Sequence, residues 1–239
     1  GNPFMRQFML ALIVLLPASA LAQDRYLVDW DEVGEEAINH LINLVRINTS
    51  NPPGNETEAA NYLKAALAAE GIESELYALD PDRANLVARI KGNGSKRPVL
   101  IMGHTDFVGV QAERWAEEPF GGLRKDGWIY GRGTLDDKDN VTAGLMLMIM
   151  LKRYGVELDR DIIFLAESGE EGTPEVGINY MVEHHWDKID AEFCLAEGGG
   201  NILEDSGVSV VGIQTAEKKP RRATLVAKGT AGHGSVPRI

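Results

Sequence analysis

Val99-Leu100-Ile101-Met102-Gly103-His104-Thr105-Asp106 is the stretch from which the fold can be read. An unbroken apolar run reads as a buried strand, and the imidazole and carboxylate just beyond it are delivered to the strand's carboxyl end. The pattern recurs. Ile162-Ile163-Phe164-Leu165-Ala166 runs into Glu167, Glu170 and Glu171, and Phe193-Cys194-Leu195-Ala196 runs into Glu197 and three glycines. The short strand Trp128-Ile129-Tyr130 and the turn Gly131-Arg132-Gly133 lead to Asp136 and Asp137. Between these strands, apolar residues return to one helical face over 31–45, and further helices are expected over 57–69, 141–152 and 175–186. Strands at 74–77 and 86–90 complete an α/β alternation, which predicts a sheet covered on both faces. In such sheets ligands bind outside the carboxyl ends of the strands, and four strand ends here carry acids or an imidazole to one rim.

Composition narrows the function. The 239 residues are 44% hydrophobic and 25% charged, a balance that supports a folded core. Asp and Glu outnumber Lys and Arg by 36 to 24, for a formal charge of −12, and no basic cluster stands out. A nucleic-acid partner is not expected from such a surface. The single cysteine, Cys194, excludes an internal disulfide and any cysteine-rich zinc module, so metal chemistry would fall to His, Asp and Glu.

The start reads as an address label. Arg6 is the only charge before Asp24, the run Phe8–Leu16 is apolar, and Pro17 precedes the small-x-small site Ala20-Leu21-Ala22. This predicts a signal peptide over 1–22, cut after Ala22, with secretion or export to the periplasm and no stable membrane association afterwards. An uncleaved anchor is the alternative reading. Past Gly200 the texture changes, with strand-like runs at Val208–Val211 and Arg222–Ala227 and no long helix between them. We read 23–214 as one catalytic domain and 215–239 as the start of a second.

Each acidic element has a bland reading by itself. Asp136-Asp137 would cap a helix, Glu170-Glu171 would be a solvated loop, and Glu197 would sit in an exposed turn. All would have to fall on strand ends at once. A rim of carboxylates is costly unless a cation neutralises it, and one histidine among carboxylates suits zinc, manganese or cobalt. An aspartate can bridge two ions. Asp106, two residues after His104, is better placed to orient the imidazole than to share its ion. Adjacent side chains diverge, so one of Glu170 and Glu171 can bind metal while the other faces substrate as a proton acceptor. The design is metal-assisted hydrolysis.

These blocks resemble the co-catalytic di-zinc hydrolases, the family of acetylornithine deacetylase, succinyl-diaminopimelate desuccinylase, aminoacylase, carnosinase and glutamate carboxypeptidase. The resemblance rests on Gly103-His104-Thr105-Asp106, Trp115–Phe120, Gly127–Lys138, Glu170-Glu171-Gly172, Ala196-Glu197 and Gly232-His233-Gly234-Ser235, in that order. It implies a zinc-peptidase-like catalytic domain, a central mixed and mostly parallel sheet between helices, followed by a smaller α+β lid and dimerisation domain that is truncated here.

It also implies roles. His104 would bind one zinc, Asp136 would bridge both, Glu197 would complete the His104 site and Glu171 would bind the second ion, with cobalt or manganese as substitutes. Glu170 would be general base and acid, and Asp106 would orient His104. His233 would reach a neighbouring subunit's site in a homodimer and steady the developing oxyanion. The family supplies a further histidine to the second ion from a C-terminal part that lies beyond Ile239. His184 and His185 read as surface residues. This chain departs from the family where Asp139-Asn140 replaces a glycine after Lys138, and where Ser168-Gly169 precedes Glu170 in place of an acid. The implied reaction cleaves an amide bond next to an amino-acid carboxylate, in a small peptide or an N-acyl amino acid. A truncated member that binds zinc or peptide without turnover is the other reading.

Overall fold

The computed structural model describes residues 26–198, 200–204, 207–212 and 223–226. The signal peptide expected at 1–22, the boundary expected at 214–215 and His233 lie outside the described residues. The chain divides into two compact units, Gly1–Ala196 and Glu197–Ile239.

The first unit is built on a five-stranded sheet. Its strands are β2 (Ser74–Ala78), β3 (Ala84–Ile90), β4 (Val99–His104), β8 (Ile162–Glu167) and β9 (Phe193–Leu195), in the order β2-β3-β8-β4-β9. β3 is antiparallel to both β2 and β8, whereas β4 runs parallel with β8 and with β9. Only β3 is reversed, so the sheet is mixed and mostly parallel, in agreement with the α/β reading. Two short pairs lie beside it: β1 (Ser50–Asn51) with β5 (Phe107–Val108) in parallel, and the hairpin of β6 (Leu123–Lys125) and β7 (Trp128–Tyr130).

Successive residues of a strand face opposite ways, and here both faces are covered. Leu86 and Ala88 of β3 and Phe164 and Ala166 of β8 pack with α1 (Trp30–Arg46), α2 (Glu56–Ala69) and α3 (Lys138–Arg153), through Leu44, Leu63, Leu67, Leu145 and Met148. Val87, Leu100, Ile163 and Leu165 face Met181 of α4 (Ile178–His184) and Ile189 of α5 (Trp186–Ile189). The helix expected over 175–186 is thus two pieces meeting at His185, whose extended φ of −137° interrupts the spiral. Its ring lies 4.4 Å from that of Tyr77 and 4.9 Å from that of Tyr180, so His185 is half-buried where the sequence suggested a surface residue, while His184 is exposed.

In the second unit, β10 (Gly200–Glu204) and β11 (Gly207–Gly212) form an antiparallel pair. The strand expected at Arg222–Ala227 does not appear at 223–226, which are irregular and exposed. Among the described residues no helix is long and apolar enough to cross a membrane.

Candidate metal centre

Strand register explains why the chemistry converges. His104 closes β4 and Glu167 closes β8, and the two are directly paired across the parallel ladder. Both side chains are buried. α3 then starts beside them: Gly103 has no room for a Cβ because Asp137 Oδ2 would lie 2.8 Å from it, and that oxygen accepts the His104 N–H at 3.1 Å. Asp137 is at the N-cap position of α3, but its side chain makes no bond to the helix's first-turn N–H groups. It takes the His104 main chain and the side-chain amide of Asn140, so the Asp139-Asn140 departure supplies a partner to this carboxylate. Lys138, fully buried, donates from Nζ to Leu44 O and Ile47 O at 2.8 Å each and lies over the Phe107 ring at 4.4 Å. It anchors the 133–138 turn to the end of α1. Burial pushes its ammonium down to about 7.

His104 Nδ1 lies 3.0 Å from the main-chain oxygen of Asp106 and 3.5 Å from its carboxylate. With its proton on Nδ1, the ring turns Nε2 toward Asp136 Oδ1 at 3.0 Å, with Glu170 Oε2 at 3.9 Å. Both the main-chain oxygen and the carboxylate of Asp106 thus face Nδ1 and hold the imidazole. The Asp106 carboxylate also accepts Asn51 Nδ2 at 2.8 Å and the main-chain N–H groups of Glu170 and Glu171 at 3.1 and 3.0 Å. Asn51 also reaches Thr173 Oγ1 at 2.9 Å.

The structure thus brings His104, Asp106, Asp136, Glu170 and Glu171 to one place. His104 Nε2 or Nδ1, an Asp136 oxygen and a Glu171 oxygen lie within 4.8 Å of one another. Glu197, exposed, is the first residue of the second unit. Asn51, Asp137 and Glu167 belong to the centre without having been assigned a role from sequence. Asp137 and Glu167 carried a signal, being acids at strand or helix ends; Asn51 carried none.

Electrostatics tests whether a cation suits this place. Burial alone would lower the His104 pKa, but the carboxylates of Asp106, Asp137 and Glu170 outweigh it and push it up to about 10. Burial, reinforced by Glu170, Asp106 and Asp137, raises Glu167 to about 8 despite the opposing imidazole. Glu171 is raised by burial and by Asp136, Glu170 and Asp106. Among the described residues, Glu167 Oε2 is buried with no hydrogen-bond partner. A site that holds a proton so firmly on its imidazole, and crowds carboxylates until they resist ionisation, favours an added positive charge. Imidazole and carboxylate oxygen are donors that divalent zinc, cobalt and manganese accept. The residues present fit such an ion.

Comparison with known proteins agrees with this geometry. A family model described as peptidase family M20/M25/M40 matches residues 100–231. A Staphylococcus epidermidis protein named "Probable succinyl-diaminopimelate desuccinylase" is 33% identical over 207 residues, 86% of this chain and 47% of that protein. The N-formyl-4-amino-5-aminomethyl-2-methylpyrimidine deformylase of Halalkalibacterium halodurans is 29% identical over 189 residues, 75% of this chain and 44% of its own length. Among solved structures, an M20 family metallo-carboxypeptidase from Sulfolobus solfataricus superposes with a TM-score of 0.62 at 26% identity, covering 72% of this chain and 39% of that one. The chain spans about half the length of the curated relatives it matches.

Proposed function

The chain belongs to peptidase family M20/M25/M40, and from that premise we propose that the protein is a zinc-dependent hydrolase that cleaves an amide bond adjacent to an amino-acid carboxylate. The observation that carries the reading is an acid beside the donor trio and outside it. Glu170 is half-exposed, its Oε2 is 3.9 Å from His104 Nε2, and its backbone is tied down by Asp106. A carboxylate in that position can exchange a proton with a reacting water or amine. The names of the relatives support the bond type: a desuccinylase, a deformylase and a carboxypeptidase.

His104, Asp136 and Glu171 would hold metal, and Glu197 would be a further carboxylate donor. Zinc held there would supply Lewis-acid polarisation of a carbonyl and lower the pKa of water. Glu170 would take a proton from the attacking water on a carboxylate oxygen as that water adds to the carbonyl carbon. As the C–N bond breaks, Glu170 returns the proton to the departing amine nitrogen. Asp106 keeps Glu170 in reach by holding its main chain. His233 would reach the site of a partner subunit, and export through the leader at 1–22 would place the reaction outside the cytoplasm.

The test is metal content and turnover measured together. Zinc per protein by elemental analysis, and hydrolysis of dipeptides and N-acyl amino acids, are compared for the native protein and Glu170→Ala. Zinc in both with hydrolysis lost only in the variant is the expected result. Zinc with no hydrolysis by the native protein would make it a binding member of the family, and no bound zinc would overturn the reading.

A further inference from the structure

Four consecutive main-chain N–H groups, those of Ser168, Glu170, Glu171 and the glycine between, are each held by a side-chain oxygen from a distant part of the chain. Ser168 N donates to Asn85 Oδ1 at 3.0 Å and Gly169 N to Glu56 Oε1 at 3.2 Å, while Glu170 and Glu171 donate to Asp106. A loop leaving a strand normally leaves such groups to water. Here the backbone that carries both acids is suspended from three anchors: the turn after β4, the first residue of α2 and the start of β3.

The anchor farthest from the motif is the most heavily built. Glu56 is fully buried, and Arg83 grips it with two parallel bonds, Nε to Oε2 at 2.7 Å and Nη2 to Oε1 at 2.6 Å. Arg83 also receives Ser168 Oγ on its main-chain oxygen at 3.0 Å. The guanidinium is roofed by Gly54, where a Cβ would lie 2.2 Å from Arg83 Nε and where φ is +86°. Gly169 has φ +76°, and a Cβ there would lie 2.4 Å from Thr173 O, so only glycine brings its N–H to Glu56 in this conformation. Burying an ion pair is weak evidence for stability, because desolvation offsets much of the attraction. This one has a geometric output: a bidentate guanidinium fixes one rotamer of Glu56, and with it the position of Gly169 N.

We propose that Glu56, locked by Arg83, is a positioning residue for Glu170, setting from below the loop height at which the acid meets its substrate. The assignment rests on the hydrolase reading for its kinetic consequence and on the hydrogen bonds alone for its structural one. The Ser168-Gly169 departure is then the part of the loop adapted to this anchor.

The experiment uses Glu56→Asp, which keeps the charge for Arg83 and draws the carboxylate back from Gly169, beside Glu56→Gln and the Glu56→Gln/Arg83→Gln pair. Amide hydrogen exchange of the peptide containing 168–172, read in metal-free protein, is expected to quicken in Glu56→Asp while the peptides of β4 and β8 stay protected. Hydrolysis by the same variant is expected to lose roughly 10- to 100-fold in kcat with little change in KM, the signature of a displaced catalytic group. Unchanged exchange at 168–172 overturns the proposal whether or not the protein hydrolyses anything, as does a lowered melting temperature with kcat intact. If Glu56→Gln fails to fold, the double variant, which leaves no unpaired buried charge, reports the same two readouts.

Discussion

The carboxylate of Asp106 accepts from donors that arrive from two directions: Asn51 Nδ2, and the main-chain N–H groups of Glu170 and Glu171. An asparagine keeps the size but turns an NH2 group toward a shell in which every neighbour donates, so at least one donor then faces another. We expect Asp106→Asn to fold, to lose about 1–3 kcal/mol of stability from the mispaired buried group, and to lose about 10- to 100-fold in zinc affinity through the misplaced loop and imidazole. Competition against a chelator measures the affinity, and wild-type affinity in the variant would show that the carboxylate supports only the fold. At this scale His104, Asp106, Asp136, Glu170 and Glu171 were legible because each directly follows an apolar strand or the turn after one. Asn51 was not, because it reaches Asp106 through the two-residue parallel pairing of β1 with β5, which no local pattern announces. Asp137 was legible as a helix cap and turned out to brace β4 against α3, a role fixed by tertiary contact with Gly103.

Elements deliver these residues only if helix and sheet sit at the right separation. Gly144 of α3 is where that distance is set: a Cβ there would lie 2.5 Å from Cε2 of the buried Phe164 on β8. Alanine gains helix propensity, worth about 1 kcal/mol over glycine, but a ring packed on all sides cannot yield cheaply, and overpacking costs about 1–3 kcal/mol. Gly144→Ala is expected to be net destabilising in urea titration; a gain in stability would mean that α3 is looser against the sheet than this packing implies. At the opposite end of the sheet Asp161 joins the exit of β3 to the entry of β8, accepting Gly92 N at 2.9 Å and facing Arg89 and Lys91 at 3.0 Å each. Burial raises its pKa, but those three donors outweigh it and hold the carboxyl below its ordinary value. A carboxylate depressed in the folded state stabilises fully above its unfolded pKa, and that contribution is lost as pH falls through the folded one. Asp161→Asn should therefore cost about 1–2 kcal/mol at neutral pH, and the difference from wild type should close in acid; an equal difference at both pH values would assign the effect to shape. Strand existence and order of appearance could be read from apolar runs, whereas the break at His185 could not. At that break the His185 ring packs on Tyr77 and Tyr180, contacts that no local pattern announces.

For the whole molecule the decisive quantity is charge. The chain carries a formal −12, and within it the carboxyl ends of β4 and β8 gather Asp106, Asp136, Asp137, Glu167, Glu170 and Glu171 around one imidazole. The alternation of strands and helices made that rim foreseeable as a place; its electrostatic cost became visible only when the side chains were seen together. Burial and neighbouring carboxylates raise the pKa of Glu167 and Glu171, so the metal-free centre resists ionisation at those two acids. An ion that binds the folded state and not the unfolded one stabilises by mass action, about 2.7 kcal/mol at a hundred times its dissociation constant. We therefore expect chelation to lower the melting temperature and added zinc to raise it in a concentration-dependent way. Moderate salt should recover part of the loss in the metal-free protein by screening the exposed members of the cluster. His104→Gln and Asp136→Asn should abolish the zinc-dependent rise, while Asp161→Asn, remote from the rim, should lower the curve and keep the rise intact. A melting temperature indifferent to chelator, or a rise that survives in His104→Gln, would mean that the acids at the sheet's end are balanced by groups of the protein itself and not by a metal.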